Sequence, residues 1–394
     1  MAKDRPVKIA LVWAQFAAYH IDRCEAVAAR LAGRAEVLAV EVATTSTDYA
    51  WAPSGAIYGA RKVTLFPGHS YEALSPFQRF FALFRVLRRY DWVMIGLSYA
   101  APDVIALTWL LRLFGTRSVI FSESKADDRP RKPLIERGKS MVMTCYHGAI
   151  VGAGRHVSYM RSLGFGARPV LPGYDGVGIA RIRAQAGGLL APDGLAFAER
   201  PFVFVGRFVD KKNLPNLIDG YAAYVAAAGP HPRRLVLAGS GAEEPEIRRH
   251  MELGRVSHLV DFPGFLSADQ VSRLLADALA LVLVSREEQW GLVVNEALAL
   301  GIPVIVSRQV GSRDALVRDG VNGAVVNSES TDAIAAALAS MAADEAQWRQ
   351  WVSACHARSW LGDTERLADA VEAMLNCSSP EASARLAKFS EEVC

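Results

Sequence analysis

Two segments carry side chains whose types and spacing suit work on a phosphorylated substrate. Gly206-Arg207-Phe208-Val209-Asp210-Lys211-Lys212-Asn213 follows directly on the apolar run 201–206. Arginine offers a planar fork of donors and lysine a point charge. Together on one strand-to-helix loop, beside a helix N-terminus, Arg207 and Lys212 make an anion site able to neutralise a leaving diphosphate without a metal ion. A solvated basic loop is the plain alternative, because charge clusters on loops are common. The second segment, Ser285-Arg286-Glu287-Glu288-Gln289-Trp290-Gly291-Leu292-Val293-Val294-Asn295-Glu296-Ala297, follows the apolar run 279–285 and opens a helix. Glu288 falls in the loop and Glu296 inside the helix. A carboxylate accepts hydrogen bonds from two neighbouring hydroxyls, so two carboxylates at this spacing hold two separate diol groups. Gly291 admits close backbone approach, and the unpaired N–H groups of residues 291–293 favour phosphate between the diols. Read otherwise, Glu287 and Glu288 are ordinary helix-start charges and Glu296 lies on a solvated face. The apolar neighbours Val293, Val294, Ala297 and Leu298 argue against that for Glu296.

Such loops need rigid elements on either side, and the hydrophobic pattern supplies them. Short apolar runs at 8–13, 36–42, 62–66, 92–97, 117–122 and 147–152 read as strands, with helical spacing at 18–32, 74–89, 103–114 and 132–145 between them. The pattern lapses over 172–200, which is rich in Gly and Pro, although 179–186 has room for a helical turn. A second series begins at Phe202, with strands at 201–206, 233–239, 258–262, 279–285, 302–307 and 323–326. Its helical stretches fall at 213–227, 243–254, 267–277, 291–300, 311–318 and 331–343, and the chain is helical from 345 onward, with Trp348, Trp351 and Trp360 spaced to bury. Strands alternating with helices predict an α/β protein built from two doubly wound parallel sheets, residues 1–190 and 191–359. Ligands bind such sheets at the carboxyl ends of their strands, so a site in the cleft between the two domains is expected.

Composition narrows the classes. Of 394 residues, 51% are hydrophobic and 22% charged, enough for a large core and too apolar for a disordered chain. A net charge of +3 is too mild to call for nucleic acid. The five cysteines are scattered without a Cys-x-x-Cys pair, which fits free thiols in a reducing cytoplasm and no structural zinc. No apolar run approaches the ~20 residues of a membrane span, and the opening Met-Ala-Lys-Asp-Arg-Pro does not read as a signal peptide. The stretch 77–89 is both aromatic and basic, with Phe77, Phe80, Phe81, Phe84 and Leu87 on one helical face. It suits a helix lying on a membrane surface, or a core helix; the buried strand that follows favours the core.

The second half resembles the nucleotide-binding domain of the retaining glycosyltransferases of family 4, which have the GT-B fold. The matching stretches are Phe204-Val205-Gly206-Arg207 with Lys212-Asn213, Leu237-Ala238-Gly239-Ser240-Gly241, Val260-Asp261-Phe262-Pro263-Gly264-Phe265, Ser285 with Glu288 and Glu296-Ala297, Gly301-Ile302-Pro303-Val304, and Gly320-x-Asn322-Gly323. Six ordered stretches over this span are far more specific than any one alone. The resemblance implies metal-independent transfer of a sugar from a nucleotide diphosphate sugar, used as co-substrate with no other cofactor, to a glycan, lipid-linked or small-molecule acceptor. It implies that Arg207 and Lys212 bind the diphosphate, that Glu288 and the amides of Gln289, Trp290 and Gly291 hold the sugar, and that Leu292 and Val293 amides meet the phosphates. Glu296 would hold the ribose, and the main chain at Gly264 and Phe265 would face the base. The helical tail, about 360–394, would return to the first domain.

The first half fits more loosely. Trp13-Ala14-Gln15-Phe16 stands where many members have a Gly-Gly pair, and Glu123 stands where many have a histidine. Gln289-Trp290 replaces a usual Gly-Phe, and Arg313-Asp314 a common Pro-Glu. Candidates for the acceptor side are Gln15, Phe16, His20, Ser98, Tyr99, Glu123 and Asp127; Asp175 reads as a turn former. A nucleotide-sugar 2-epimerase of the same architecture and a non-catalytic donor-binding partner in polysaccharide assembly are the rival readings.

Overall fold

The computed structural model describes residues 5–47, 55–188 and 190–394; the first four residues, part of the opening stretch read for a signal peptide, lie outside that range. Strands β1 (Val7–Trp13), β2 (Ala35–Thr45), β3 (Arg61–Ser70), β4 (Trp92–Ile95), β5 (Arg117–Ser122), β6 (Gly148–Val151) and β7 (Val170–Pro172) alternate with helices α1 (Ala18–Arg30), α2 (Pro76–Leu87), α3 (Pro102–Leu113), α4 (Pro133–Met143) and α5 (Gly154–Met160). After α6 (Ile179–Gln185) come β8 (Phe202–Val205), α7 (Leu214–Ala227), β9 (Leu235–Ala238), α8 (Glu244–Leu253), β10 (Val260–Gly264), α9 (Ala268–Ala276), β11 (Ala280–Leu283), α10 (Leu292–Ala299), β12 (Val304–Ser307), α11 (Arg313–Leu316), β13 (Gly323–Val326), α12 (Thr331–Ala343) and α13 (Glu345–Arg358). Helices α14 (Glu365–Met374) and α15 (Pro380–Val393) end the chain.

Both sheets are parallel and doubly wound. Their orders are β3-β2-β1-β4-β5-β6-β7 and β10-β9-β8-β11-β12-β13. Each sheet grows first to one side of its opening strand and then to the other, so the crevices between β1 and β4 and between β8 and β11 are the topological switch points. The chain divides into two compact units, Met1–Gly176 with Thr364–Cys394, and Val177–Asp363. Helix α6, inside the stretch 1–190 assigned to the first domain, instead packs on α9 and α10 of the second unit, with Arg183 Nε donating to the Ala299 carbonyl at 2.9 Å. Its Ile179 and Ile182 are buried, an anchor too brief to stand out from the surrounding glycines. Strand β7 and helix α5 were absent from the periodicity because three and seven residues are too few to show it.

The first unit has a core on each face of its sheet. One holds Leu83 and Leu87 of α2 with Val104, Leu107 and Leu111 of α3. The other holds Cys24, Val27 and Ala28 of α1 against Leu367, Ala368, Ala370, Val371 and Met374 of α14. Around that apolar seam runs a network of charges. Arg30 pairs with Glu365 and Asp369, Arg34 with Glu372 at 2.6 Å, and Arg366 and Arg385 reach Asp369 at 3.2 and 2.9 Å. By contrast α13 belongs to the second unit, where Trp348 and Trp351 donate their indole N–H groups to the Leu279 and Gly320 carbonyls.

Asp369 is almost wholly buried and serves three arginines. Asp369→Ala therefore leaves the buried Arg366 and the half-buried Arg30 and Arg385 short of a counter-charge; a fully buried pair so broken commonly costs about 3–5 kcal/mol, and the part-exposure of two of these arginines places the loss at or below the lower end. A urea titration should show that loss; a midpoint equal to the parent protein's would mean that apolar packing alone holds α14.

Candidate active site

The second unit's switch point collects the two segments singled out by their chemistry. Strands β8 and β11 are neighbours, so Gly206–Asn213 and Ser285–Gly291 leave the same sheet edge side by side. They are laced together: the Arg286 amide donates to the Lys211 carbonyl at 2.8 Å. Phe208 is buried between Phe204 and Phe262 and pins the first loop, while Arg207 beside it is exposed. Gly239, at the end of β9, allows this loop to sit tightly, because a Cβ there would lie 1.8 Å from the Gly206 carbonyl oxygen.

Lys212 and Glu288 form an ion pair across the switch point. Ser285 Oγ donates to the same Glu288 oxygen at 3.1 Å. Asn213, immediately after the lysine, is the keystone that sequence reasoning left without a role. It is buried, adopts a left-handed conformation (φ 59°), and donates Nδ2 to the Val284 and Ser328 carbonyls at 3.1 and 2.7 Å. Its signal in the sequence was the Asn-Leu-Pro run, since Asn tolerates the left-handed region and Pro suits a helix's first turn.

Gly291 caps α10 with φ 92°, a conformation that suits glycine. The amides of Leu292 and Val293 are then first-turn donors of the kind a helix leaves unpaired. Glu296 lies one turn into α10, roughly 6 Å along the axis from Leu292. Trp290 is a strut: its ring is buried and its N–H donates to Asn295 Oδ1 at 2.9 Å, while Asn295 donates to the Gly362 carbonyl. Gly264 ends β10 and accepts the Gly239 amide at 2.8 Å; Phe265 next to it is exposed. Among the described residues, no group of three His, Cys, Asp or Glu side chains is placed to hold a metal ion.

In the first unit, a cavity of about 330 Å³ opens beyond β1 and is lined in part by Trp13, Gln15, His20, Tyr71, Glu72 and Tyr174. Gln15 and His20 were expected at such a site; the aromatic walls were not singled out. Phe16 is corrected to a core residue, fully buried with its ring against Trp13. His20 Nδ1 accepts the Ala17 amide at 2.9 Å. Burial, and then the charge of Arg23, hold its imidazole well below the ordinary histidine range. Glu72 accepts from Ser46 and Ser70 hydroxyls at 2.6 Å and from the Thr47 amide, and against the opposing pull of burial these bonds take it down to about 2.

The other acceptor-side candidates lie on neighbouring loops. Ser98 is exposed, and the Tyr99 hydroxyl sits 3.3 Å from Ser124 Oγ. Asp127 is engaged by Arg155 at 2.8 Å and Lys125 at 3.3 Å. Asp175 is more than a turn former. Its carboxyl is buried 3.6 Å from Arg23, whose guanidinium also donates to the Gly176 carbonyl and lies over the Tyr174 ring. Burial, followed by the charge of Glu123, pushes Asp175 well above the usual carboxylate range. Glu123, just past the end of β5 where related proteins were read to carry histidine, is half-buried and acts electrostatically on the buried Asp175 and Arg23.

A family model described as glycosyl transferases group 1 matches residues 195–357. D-inositol 3-phosphate glycosyltransferase of Nocardiopsis dassonvillei is 30% identical over 312 residues, covering 73% of this chain and 70% of that protein. Three other curated relatives are matched over only 35%, 57% and 63% of their own lengths. Among solved structures, sucrose-phosphate synthase of Thermosynechococcus elongatus superposes with a TM-score of 0.70 at 21% identity, over 94% of this chain and 98% of that one. HepE of Anabaena in complex with UDP does so with 0.69 at 17%, over 94% and 100%. These likenesses establish the fold as that of the GT-B glycosyltransferases.

The His20 environment makes a prediction independent of any substrate. Because its folded value is depressed, the ring should stay neutral while an exposed histidine protonates, and the stability it contributes should be lost as pH falls below about 6.5. Imidazole NMR between pH 8 and 5 checks this; a His20 titration centred near 6.5 would contradict the burial argument.

Proposed function

The chain belongs to the group 1 glycosyltransferases, and on that premise we propose that it transfers a sugar from a nucleotide diphosphate sugar to a hydroxyl, with retention at the anomeric carbon. The reading rests above all on the Lys212–Glu288 pair at the crevice between β8 and β11, beside the first turn of α10. A cation, a carboxylate and unpaired amides at one strand edge match a donor's diphosphate and sugar hydroxyls in charge and hydrogen-bonding sense. Arg207 and Lys212 would take the diphosphate, Glu288 the sugar, Glu296 the ribose, and the end of β10 at Gly264 and Phe265 the base. The UDP held by HepE supports a uridine nucleotide as the first donor to try.

In the proposed step the bond from the anomeric carbon to the diphosphate oxygen breaks as the acceptor oxygen bonds to the same face. The departing phosphate oxygen takes the acceptor's proton. Negative charge grows on the diphosphate, and the two cations with the α10 amides are arranged to stabilise it. That supply of charge is why the reaction should run without a metal ion. The cavity beside β1, with its aromatic walls and neutral His20, is the proposed acceptor pocket. Its size falls at the lower end for small-ligand pockets, about 300–1,000 Å³.

The decisive experiment is a UDP titration followed by turnover with UDP-sugars. Arg207→Ala and Lys212→Ala should each lower turnover by about 10²–10³. Glu288→Gln should separate the roles of the pair. It frees Lys212 from its counter-charge, so UDP should bind about 3- to 10-fold tighter, equivalent to roughly 0.6–1.4 kcal/mol, while sugar transfer falls. Near-parental turnover in both cation variants would reject the assignment.

Metal dependence is checked separately. Activity should survive exhaustive EDTA treatment, and restoration by added Mg²⁺ or Mn²⁺ after such treatment would require a different account of the leaving group.

A further inference from the structure

Helix α2 is apolar on two sides. Inward, Leu83 and Leu87 are buried in the core with Leu107 and Leu111 of α3. Outward, Phe77 and Phe81 are 71% and 50% exposed. These two rings join, through the half-buried Phe80 and Phe84 that pack against the core, into a continuous ridge. Phe77 and Phe81 lie 4.4 Å apart between ring centroids, Phe81 and Phe80 5.1 Å, Phe80 and Phe84 6.2 Å, and Phe84 meets Phe114 at 5.3 Å. Phe114 caps α3 and, with Leu113 before it, is exposed at 58% and 80%. The ridge therefore runs across two helices of one sheet face rather than along one.

The exposed charged side chains on α2, α3 and the turn at Arg88-Arg89 are basic, and the one acid of these helices, Asp103, is buried and paired with Arg79 at 2.7 Å. Arg85, Arg88, Arg89 and Arg112 are all exposed. Residues 73–90 and 104–122 contain no aspartate or glutamate. Exposed aromatic side chains grouped into a patch are a costly surface to leave in water. No helix among the described residues is long and apolar enough to cross a membrane.

We propose that the outer face of α2 together with the end of α3 docks on the headgroup region of an anionic lipid bilayer. The phenylalanines and Leu113 enter the boundary between headgroups and acyl chains, and the four arginines meet lipid phosphates. Aromatic rings favour that interface, and basic side chains beside it are drawn by its negative surface potential. The inference stands apart from the sugar-transfer reading, since no residue in it belongs to either site described above.

Co-sedimentation with vesicles tests it, using phosphatidylcholine alone and phosphatidylcholine with phosphatidylglycerol, at low and high salt. The full chain should pellet with the phosphatidylglycerol vesicles at low salt, and at least ~10-fold less with neutral vesicles or at high salt. Arg85→Glu with Arg88→Glu and Arg89→Glu, all exposed positions, should abolish binding. Phe77→Ser with Phe81→Ser should weaken it roughly 10-fold or more while the thermal midpoint stays unchanged. Failure of the parent chain to pellet, or pelleting that neither variant alters, overturns the proposal. So does a dimer in light scattering that the phenylalanine variant dissolves, because the ridge would then be a contact between copies of this chain.

Discussion

Lys212 and Glu288 neutralise each other across the seam between two strands that meet only in the folded sheet. Neither group is sealed: their side chains keep 13% and 11% of their exposure. A buried charge that loses its partner is costly, so each holds the other in place until something better matched arrives. A diphosphate is a stronger partner for the lysine, and vicinal hydroxyls are suitable partners for the carboxylate. On the proposed reading, a donor would exchange these partners without leaving either charge stranded. Asn213, Ser285, the buried Phe208 and the Lys211 carbonyl act on this pair by fixing the loops that carry it.

The first unit uses charge differently. Arg23 and Asp175 keep only 1% and 0% of their side-chain exposure, and the arginine is boxed by Tyr19 and Tyr174 rings and the Gly176 carbonyl. A pair so enclosed is not open to exchange with a ligand. It joins the middle of α1 to the loop after β7, and its neighbour Tyr174 both accepts the Trp13 indole N–H and lines the cavity. The walls of that cavity are therefore set by a buried ion cluster, while the Lys212–Glu288 pair stays accessible. The same unit repeats the device where α14 meets α1, with Asp369 buried among arginines.

Helix α2 shows where periodicity runs out. Phe77, Phe80, Phe81, Phe84 and Leu87 share a stripe in the sequence, which suits a surface helix as well as the core helix that the strand after it favours. The sheet decides between them by admitting Leu83 and Leu87 and leaving Phe77 and Phe81 outside. Hydrophobicity says that a side chain gains by leaving water; it does not say which of two apolar faces finds protein first.

The sequence by itself determined the α/β class, the doubly wound alternation, the loops on which Arg207, Lys212 and Glu288 would fall, and the helix that would carry Glu296. Those features are local: strand and helix periods, turn residues, and short spacings within one strand–loop–helix unit. Only the tertiary structure decided which loops became neighbours. The pairing of Lys212 with Glu288, the keystone role of Asn213, the burial of Phe16 and the ion pair of Asp175 all depend on contacts between residues distant in the chain. So does the transfer of α6 to the second unit. Spacing along a chain carries no record of such contacts, because they are fixed by strand order and by which buried charges and rings fill the space that order creates.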